Sequence, residues 1–351
     1  MVFFQNFSIN NRSNLLAEEE MKIGCTLGKY APLHKGHEYV ISTALQEMDH
    51  VIVIIYTASE TTDIPTHIRA SWIKELFPAV EVIIAEDGPQ ETGYTKEIID
   101  KQNKYLKELL KDKIIDSFFS SERYGEYVSN ALHCQNRIVD VERNNYRISS
   151  TMIRNDLLSA KPFVSKCVFD CMKPKLYFLG GPSTGKSTIS AYSAELLAGA
   201  YCKEFGRDYW FQFQKNHRLT MNDLEIVSTE QNTLEEDVSK EENDIIFIDT
   251  TTITTLAYSW YYFGKASDML ENNVASNLYK YKHVFLCDVD IPFENTWDRT
   301  PGSREKLQAI NIELLNKYHI AYRTLSGSIE ERFTIIKNYT ETIRKCGNYS
   351  M

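Results

Sequence analysis

The sequence predicts an α/β protein made of two domains, each with a parallel β-sheet covered by helices. Its length of 351 residues is a little more than twice the roughly 150 of a typical domain. Hydrophobic residues make up 43% of the chain and charged residues 25%, the balance of an ordinary globular protein with a buried core. Short apolar runs alternate with helical stretches, a pattern that favours parallel strands with helices on both faces of the sheet.

The first half of the chain contains five predicted strands and three predicted helices. The predicted strands are 22–27, 51–56, 80–84, 114–119 and 137–141. Helices are predicted at 36–48 and near 66–77 and 93–110. The first strand, the first helix and the second strand form a βαβ unit, so we expect a Rossmann-like sheet.

The same pattern begins again in the second half. A strand at 175–179 is followed by a glycine-rich turn and a helix at 186–197, and further strands are predicted at 245–249 and 283–287. The stretch 155–174 contains Pro162 and Pro174 but no Gly/Ser tract, which indicates a short, packed linker. We therefore expect an N-terminal extension at 1–20, a first domain at 21–172 and a second at 173–351.

Charge and hydropathy exclude several classes of protein. A net charge of −9 argues against a general binding surface for nucleic acid or an anionic membrane. The longest apolar runs fall far short of the roughly 20 residues of a membrane span. The first 20 residues lack the basic start and apolar stretch of a signal peptide, and seven cysteines occur without a C-x-x-C pair. We expect a cytoplasmic protein with reduced thiols that binds neither nucleic acid nor membrane.

A first candidate site lies where the first strand turns into the first helix. His34 and His37 are three residues apart at this turn, where open α/β sheets bind ligands, and both can face a phosphate. Such a pair would stabilise the charge that grows on an α-phosphate during in-line attack. The alternatives are a histidine that only caps or packs, and a zinc site, which lacks a third clustered ligand. The predicted nucleotide contacts at this turn are Gly28, Lys29, Tyr30 and Gly36.

A second element of this site opens the last helix of the first domain, at 148–154. Its hydroxyl residues are natural N-caps, so a cap with one surface arginine is the alternative interpretation. Beside the histidine turn, they form with Arg154 a clamp for the β- and γ-phosphates of ATP. The hydroxyl residues are Ser149, Ser150 and Thr151.

Together these two elements resemble the nucleotidyltransferase superfamily that carries an H-x-G-H turn and an I-S-S-T-x-x-R segment. Its members transfer AMP or CMP from a nucleoside triphosphate to a phosphate or a phosphorylated acceptor and release pyrophosphate. The resemblance implies catalytic roles for His34, His37 and Arg154. It indicates the reaction type better than the acceptor.

A second candidate site is the run Gly180–Ser187, which fits the phosphate-binding pattern G-x-x-x-x-G-K-[ST] between a strand and a helix. The backbone would cradle the phosphates, catalytic Lys186 would reach the β- and γ-phosphates, and Ser187 would bind Mg²⁺. A chance match in a loop is the alternative. The other predicted contacts are Gly181, Ser183, Thr184, Gly185 and Thr188.

Other polar residues of the second half extend this site. Asp249 ends an apolar strand and is a candidate for Mg²⁺ binding and catalysis, with a capping aspartate as the alternative. Glu204 and Arg207 could bind sugar hydroxyls, or form only a surface ion pair. Arg299 and Arg304 could close a lid over the phosphates, or lie in a solvated loop.

The chain from about residue 21 to 344 resembles one family, the bifunctional NadR-type enzymes. These join a nicotinamide mononucleotide adenylyltransferase to a ribosylnicotinamide kinase. The resemblance rests on an R-x-x-W helix at 69–72, an E-D-G turn at 86–88, and the stretches 120–122, 139–143, 204–207, 247–250, 253–255 and 264–266. It implies that substrate is bound by Arg69, Trp72, Asp87, Tyr94, Glu204 and Arg207.

The family implies a P-loop kinase fold for the C-terminal half, which would phosphorylate the ribose 5′-hydroxyl of ribosylnicotinamide with MgATP. The N-terminal domain would join the resulting mononucleotide to AMP from a second ATP, giving NAD and pyrophosphate. Three departures stand out: Thr251 replaces a second aspartate, 296–299 replaces a D-G-x-R lid, and Tyr94 replaces a tryptophan. About 20 residues before the first strand are too few for the helix-turn-helix of the repressor members.

The sequence leaves several alternatives open. The acceptor could be another phosphometabolite, with a kinase that supplies it. The C-terminal domain could sense ATP without turnover. The kinase base could be Asp249, Glu204 or Asp208, and a homo-oligomer is possible.

Overall fold

A computed structural model of the chain describes residues 21–91, 93–293 and 302–346. These residues form two sheets of five parallel strands, each with helices packed against it. The predicted fold class, two parallel-sheet α/β domains, is confirmed.

The first sheet has the strand order β3-β2-β1-β4-β5. Its strands are β1 (Ile23–Gly28), β2 (His50–Tyr56), β3 (Glu81–Ala85), β4 (Ser117–Ser120) and β5 (Gln135–Ile138). Its helices are α1 (Lys35–Glu47), α2 (Thr66–Leu76), α3 (Lys96–Leu109), α4 (Tyr124–Leu132) and α5 (Ser150–Asn155). The chain builds outward from β1 through β2 to β3 and then returns to β4. A crevice therefore opens at the carboxyl ends of β1 and β4, where the strand order reverses.

The continuous apolar run of β2 explains its central position. Val51, Val53 and Ile55 lie in the core on one face of the sheet, whereas Ile52 and Ile54 lie in the core on the other. All five are fully buried. A parallel strand covered by helices on both faces needs apolar side chains at every position, since successive residues point to opposite faces.

The second sheet has the order β10-β9-β6-β8-β7, so β6 lies between β9 and β8. Its strands are β6 (Lys175–Leu179), β7 (Ala200–Cys202), β8 (Ile246–Asp249), β9 (His283–Cys287) and β10 (Tyr322–Leu325). Its helices are α7 (Lys186–Leu196), α8 (Phe205–Phe213), α9 (Met221–Ser239), α10 (Thr252–Phe263), α11 (Asp268–Asn277), α12 (Ser303–Lys317) and α13 (Ile329–Cys346). Short 3₁₀ turns occupy Lys161–Phe163 and Leu278–Lys280.

The predicted boundaries were displaced at two strands of the first sheet. The strand predicted at 114–119 is Ser117–Ser120, because the Asp116 carboxylate accepts a hydrogen bond from the Ile23 backbone N–H at 2.7 Å and ends the preceding loop. The strand predicted at 137–141 is Gln135–Ile138. In the second sheet, β7 and β10 were not predicted. They are short edge strands and lack the apolar run that marks a buried strand.

Helix α6 (Lys166–Met172) lies between the two sheets in the chain and packs against the end of α9. Val168 and Phe169 pack into the core of the first sheet. On the other side, the Lys166 ammonium donates to the Lys240 carbonyl at 2.7 Å, and the buried Lys173 ammonium donates to the Glu241 carbonyl at 2.8 Å. The junction is therefore packed by short polar contacts.

Among the helices that the structure describes, none is long and apolar enough to cross a membrane. The described residues also contain no cluster of three or more His, Cys, Asp or Glu side chains arranged to hold a metal ion.

Candidate active sites

The histidine turn and the segment at 148–154 lie together at the crevice of the first sheet. The Ser150 hydroxyl donates to the Pro32 carbonyl at 3.0 Å, and the Arg154 guanidinium donates to the Ala31 carbonyl. Two segments more than a hundred residues apart in sequence are thus joined through backbone carbonyls of the turn. The histidine turn and the start of α5 are therefore neighbours in the fold.

The two histidines of this turn stack on each other. Their ring centroids are 3.7 Å apart with an interplanar angle of 20°. The His34 ring also caps α1, since its Nδ1 accepts a hydrogen bond from the His37 backbone N–H at 3.4 Å. The Tyr30 ring meets His37 edge-on at 5.0 Å, and His37 Nδ1 is buried without a hydrogen-bond partner among the described residues. His34 therefore caps α1 through one ring nitrogen, while His37 Nδ1 remains for a contact with phosphate.

Burial keeps both imidazoles neutral in the free protein. It lowers the pKa of His34 to about 4, and the positive charge of Arg143 adds to the effect. Burial, followed by the charges of His34 and Arg143, holds the pKa of His37 well below its usual value. A bound phosphate would oppose both effects, because a negative charge favours the protonated ring.

We expect His34 to titrate near pH 4 in an NMR titration of the free protein, well below the value of about 6.5 of an ordinary histidine. A folded-state pKa below the unfolded value means that the unfolded chain binds more protons between the two values. Stability from this group is therefore present above about pH 6.5 and falls as the pH decreases toward 4. A midpoint near 6.5 in the folded protein would contradict this assignment. Inorganic pyrophosphate should move the midpoint upward.

Cationic side chains surround the same turn. The Lys29 ammonium donates to the Thr61 hydroxyl at 3.0 Å, and its pKa is lowered by partial burial and by the charge of Arg154. The Arg154 guanidinium also donates to the Thr151 hydroxyl at 3.0 Å. Ser149 caps α5 by accepting from the Met152 N–H at 3.3 Å. Lys29 and Arg154 carry like charges close to each other. An anion bound between them would offset their repulsion.

Gly36 lies in a closely packed part of this turn. A Cβ at this position would lie 3.1 Å from the His34 ring, tighter than ordinary van der Waals contact. At Gly28 a Cβ would lie 3.2 Å from the Tyr30 ring. The glycines thus let the turn fold back on its own aromatic side chains.

The second site lies at the carboxyl end of β6, where Gly180–Ser187 leads into α7. The Lys186 ammonium donates to the Gly181 carbonyl at 2.9 Å, and the Thr184 hydroxyl donates to the same carbonyl at 2.8 Å. The Gly181 N–H donates to the Gln308 side chain of α12 at 2.8 Å. A Cβ at Gly181 would lie 2.4 Å from the Arg304 carbonyl oxygen, so only glycine fits there.

Asp249 lies beside this loop, because β8 pairs with β6 and places Asp249 opposite Phe178. The carboxylate is only 2% exposed, and one of its oxygens, Oδ1, has no hydrogen-bond partner among the described residues. Burial and the charge of Glu204 raise its pKa to about 6, against the lowering effects of Lys186 and the Ser187 hydroxyl. Thr251, where a second aspartate was expected, caps α10 by accepting from the Ile253 N–H at 3.0 Å.

Two adjacent cavities meet at this loop. One, of about 440 Å³, is lined by residues 183–188, Arg207 and residues 291–293; we call it the phosphate cavity. The other, of about 350 Å³, is lined by Glu204 and by aromatic side chains, and we call it the acceptor cavity. Its aromatic lining residues are Trp210, Tyr258, Tyr261 and Tyr262. The two cavities share Ser183, Lys186 and Arg207, so a molecule in one lies beside a molecule in the other.

Comparison with known proteins agrees with the division into two domains. The family described as "Cytidylyltransferase-like" matches residues 25–156, and the family described as "AAA domain" matches residues 175–332. The Trifunctional NAD biosynthesis/regulator protein NadR of Escherichia coli (strain K12) is 24% identical over 344 residues, which cover 90% of this chain and 82% of that protein. Along most of its length this chain is similar to NadR.

Two solved structures share this NadR-type fold. A NadR protein in complex with NAD and AMP-PNP superimposes with a TM-score of 0.62 at 18% identity, over 94% of this chain and 98% of that one. A NadR protein in complex with NR gives a TM-score of 0.61 at 18% identity with the same coverage. At 18% sequence identity, this structural similarity shows that the fold is shared.

The oxygen donors at the phosphate loop fit a divalent cation. The unpartnered Oδ1 of buried Asp249 and the hydroxyl of Ser187 are oxygen ligands of the kind that Mg²⁺ prefers. Ser187 and Thr188 both line the cavity, next to Gly185. The Ser187 hydroxyl also lies within hydrogen-bond reach of the Asp249 carboxylate, so the two predicted ligands are neighbours with suitable oxygen donors.

Arg69 lies inside the fold, contrary to the expectation that it contacts substrate. It is fully buried, and all five of its guanidinium donors are used. They bind the carbonyls of Lys29, Tyr56, Thr57 and Ile64 and the hydroxyl of Thr66. Trp72 is 3% exposed and packs in the core of the first sheet. In this arrangement Arg69 positions the turn after β1, and a direct substrate contact would need exposed atoms that neither side chain offers.

Replacing Arg69 by Met should lower the free energy of unfolding by about 3 kcal/mol or more, because four buried carbonyls and a hydroxyl lose their donor. Urea unfolding followed by circular dichroism measures the change. The matched control is Lys74→Met on the exposed face of the same helix, which should stay within about 0.5 kcal/mol. Weaker substrate binding with unchanged stability would restore the substrate role.

Asp87 and Tyr94, the remaining predicted contacts of the first site, are both exposed. Asp87 accepts a hydrogen bond from the Tyr105 hydroxyl at 2.6 Å. The Tyr94 ring is 59% exposed and lies 6.4 Å from the Tyr127 ring. Both side chains remain accessible to a ligand.

At the second site, Arg304 does not lie on an open lid. It is 4% exposed at the start of α12 and donates to the Ile291 carbonyl at 2.8 Å. The expectation that it closes over the phosphates is corrected by its burial against the loop that follows β9. Arg299 and the predicted lid at 296–299 lie outside the described residues.

The sequence analysis missed two arginines. Arg143 lowers the pKa of both histidines and belongs to the stretch 139–143, where its nearness to them had no local signal. Arg332 on α13 is 3% exposed and donates to the Thr184 carbonyl at 2.6 Å and the Gly327 carbonyl at 3.0 Å. Since 148 residues separate it from Thr184, only the fold identifies it as a support of the phosphate loop.

Proposed function

We propose that this NadR-type chain carries out two consecutive transfers from ATP, in two separate sites. The domain at 173–351 phosphorylates ribosylnicotinamide to nicotinamide mononucleotide. The domain at 21–172 joins that product to AMP, giving NAD and pyrophosphate. The observation that carries the proposal is the pair of adjoining cavities at the P-loop, since a kinase needs an acceptor beside its phosphate donor. The relatives support it through the NAD, AMP-PNP and NR held by the similar structures.

In the kinase site, the 5′-hydroxyl of the riboside attacks the γ-phosphorus of ATP from the acceptor cavity. The hydroxyl proton passes to Asp249 or Glu204, and ADP leaves. Lys186 exchanges the Gly181 carbonyl for phosphate oxygens as nucleotide binds. A Mg²⁺ ion held by Ser187 and Asp249 would neutralise phosphate charge. The four aromatic side chains hold the pyridinium ring and exclude water.

In the adenylyltransferase site, a phosphate oxygen of the mononucleotide attacks the α-phosphorus of ATP and pyrophosphate leaves. The neutral rings of His34 and His37 offer N–H donors to the α-phosphate, whose charge grows as the bond forms. Lys29, Arg154 and the α5 hydroxyls hold the departing pyrophosphate. Asp87 and Tyr94, both exposed, would bind the mononucleotide.

The test is a pair of assays on the purified chain with MgATP, one with ribosylnicotinamide and one with nicotinamide mononucleotide, following ADP, pyrophosphate and NAD. NAD from both substrates is expected. NAD from the mononucleotide alone would overturn the kinase assignment and favour an ATP-sensing domain. No NAD from either would mean that the acceptors belong to another class of phosphometabolite.

A further inference from the structure

One guanidinium nitrogen connects the two cavities of the kinase domain. Arg207 Nη2 donates to the Ser187 hydroxyl at 3.0 Å and to Glu204 Oε2 at 3.0 Å. Ser187 lines only the phosphate cavity and Glu204 only the acceptor cavity, whereas Arg207 lines both. Any movement of this side chain therefore changes both cavities.

Arg207 serves as the counter-cation of two carboxylates in this state. Burial disfavours its charge, but the carboxylates of Glu204 and Asp249 outweigh that effect and raise its pKa. A divalent ion at Ser187 and Asp249 would bring a second cation into the same space. Two cations a few ångström apart repel each other, so guanidinium and metal compete for this position.

The loop lysine is also turned away from a ligand. The Lys186 ammonium donates to the Gly181 carbonyl, a group of its own loop. Two cationic side chains of the phosphate cavity are thus held by groups of the phosphate loop. Lys186 donates to the Gly181 carbonyl and Arg207 donates to the Ser187 hydroxyl. A bound metal–nucleotide has to replace both contacts.

We propose that Arg207 is a positioning residue that couples the phosphate cavity to the acceptor cavity. It holds Ser187 while the loop binds no metal–nucleotide, and it turns into the acceptor cavity with Glu204 when a metal ion takes the Ser187 hydroxyl. There its freed N–H groups meet the hydroxyls of the riboside. This inference rests on the proposed kinase function, and the coupling is reciprocal because it is a difference in binding free energy.

The first test measures riboside affinity by calorimetry on the full chain. Ribosylnicotinamide is titrated with and without saturating Mg–AMP-PNP, which cannot transfer its terminal phosphate. The affinity of the natural chain should rise by at least about fivefold with Mg–AMP-PNP. In Arg207→Gln the two affinities should be equal. The matched control, Arg218→Gln, removes an arginine of the acceptor cavity that has no hydrogen bond to Ser187 in the structure, and it should keep the rise.

The second test uses Mn²⁺ alone, followed by electron paramagnetic resonance without nucleotide. Arg207→Gln should bind Mn²⁺ more tightly than the natural chain, because a competing cation is gone. If Arg207 only supported the structure, Arg207→Gln would bind Mn²⁺ more weakly. That result would overturn the proposal that a metal ion displaces Arg207 from Ser187. Thermal unfolding of the variant checks that it is folded.

The outcomes separate this inference from the function on which it rests. Equal riboside affinities with and without Mg–AMP-PNP in the natural chain would overturn the coupling and leave the kinase assignment intact. No riboside binding in either state would overturn the kinase assignment itself.

Discussion

Lys186→Ala is expected to abolish NAD formation from ribosylnicotinamide and to leave NAD formation from nicotinamide mononucleotide unchanged. The ammonium is 8% exposed and lies in both cavities, where the transferred phosphate would pass. Losing a fixed positive charge at a phosphoryl transition state lowers the rate by on the order of 10³-fold. Coupled assays of ADP and NAD with each substrate measure the two activities in one preparation.

The matched control is Lys203→Ala, an exposed lysine of the same domain that pairs with Asp208 at 2.5 Å. It should change neither activity by more than a small factor. Loss of both activities in Lys186→Ala would mean that the substitution disrupts the chain as a whole. Retention of riboside phosphorylation would show that the loop is not the donor site.

His37→Ala is expected to have the opposite pattern. It removes one of two stacked rings beside the nucleotidyltransferase turn, including a buried nitrogen without a partner among the described residues. Removing one donor to a developing phosphate charge costs about 10²- to 10³-fold in rate. NAD formation from the mononucleotide should fall by that factor, whereas ADP release with ribosylnicotinamide should continue and the mononucleotide should accumulate.

The control for this substitution is His50→Ala. His50 starts β2, at the strand end away from the crevice, and pairs with Glu81 at 2.8 Å. Its removal should leave adenylyl transfer unchanged. A His37→Ala variant with full adenylyl transfer would restrict this histidine to packing against Tyr30.

Contiguous motifs allowed the sequence to predict that both candidate sites lie between a strand and a helix. The histidine turn and the phosphate loop each lie between a strand and a helix within a dozen residues, so local order fixes their geometry. The pairing of the turn with Ser150 and Arg154 could also be anticipated, because both segments follow strands of one sheet.

Long-range contacts were beyond sequence reasoning. The pattern R-x-x-W places Arg69 and Trp72 on one helical face, but whether that face meets solvent depends on which loops cover it. Gln308 and Arg332 support the phosphate loop from helices that begin more than a hundred residues later. Edge strands such as β10 carry little apolar signal, since one side of them remains partly exposed.

Helix α6 makes this polypeptide hard to divide into two separately encoded enzymes. A cut before it would remove Val168 and Phe169 from the first core. A cut after it would leave buried Lys173 without the Asp170 carboxylate, which it meets at 2.9 Å. A gene fission at this junction would therefore need compensating substitutions at both new ends. The two halves are expected to be inherited, expressed and degraded as one unit.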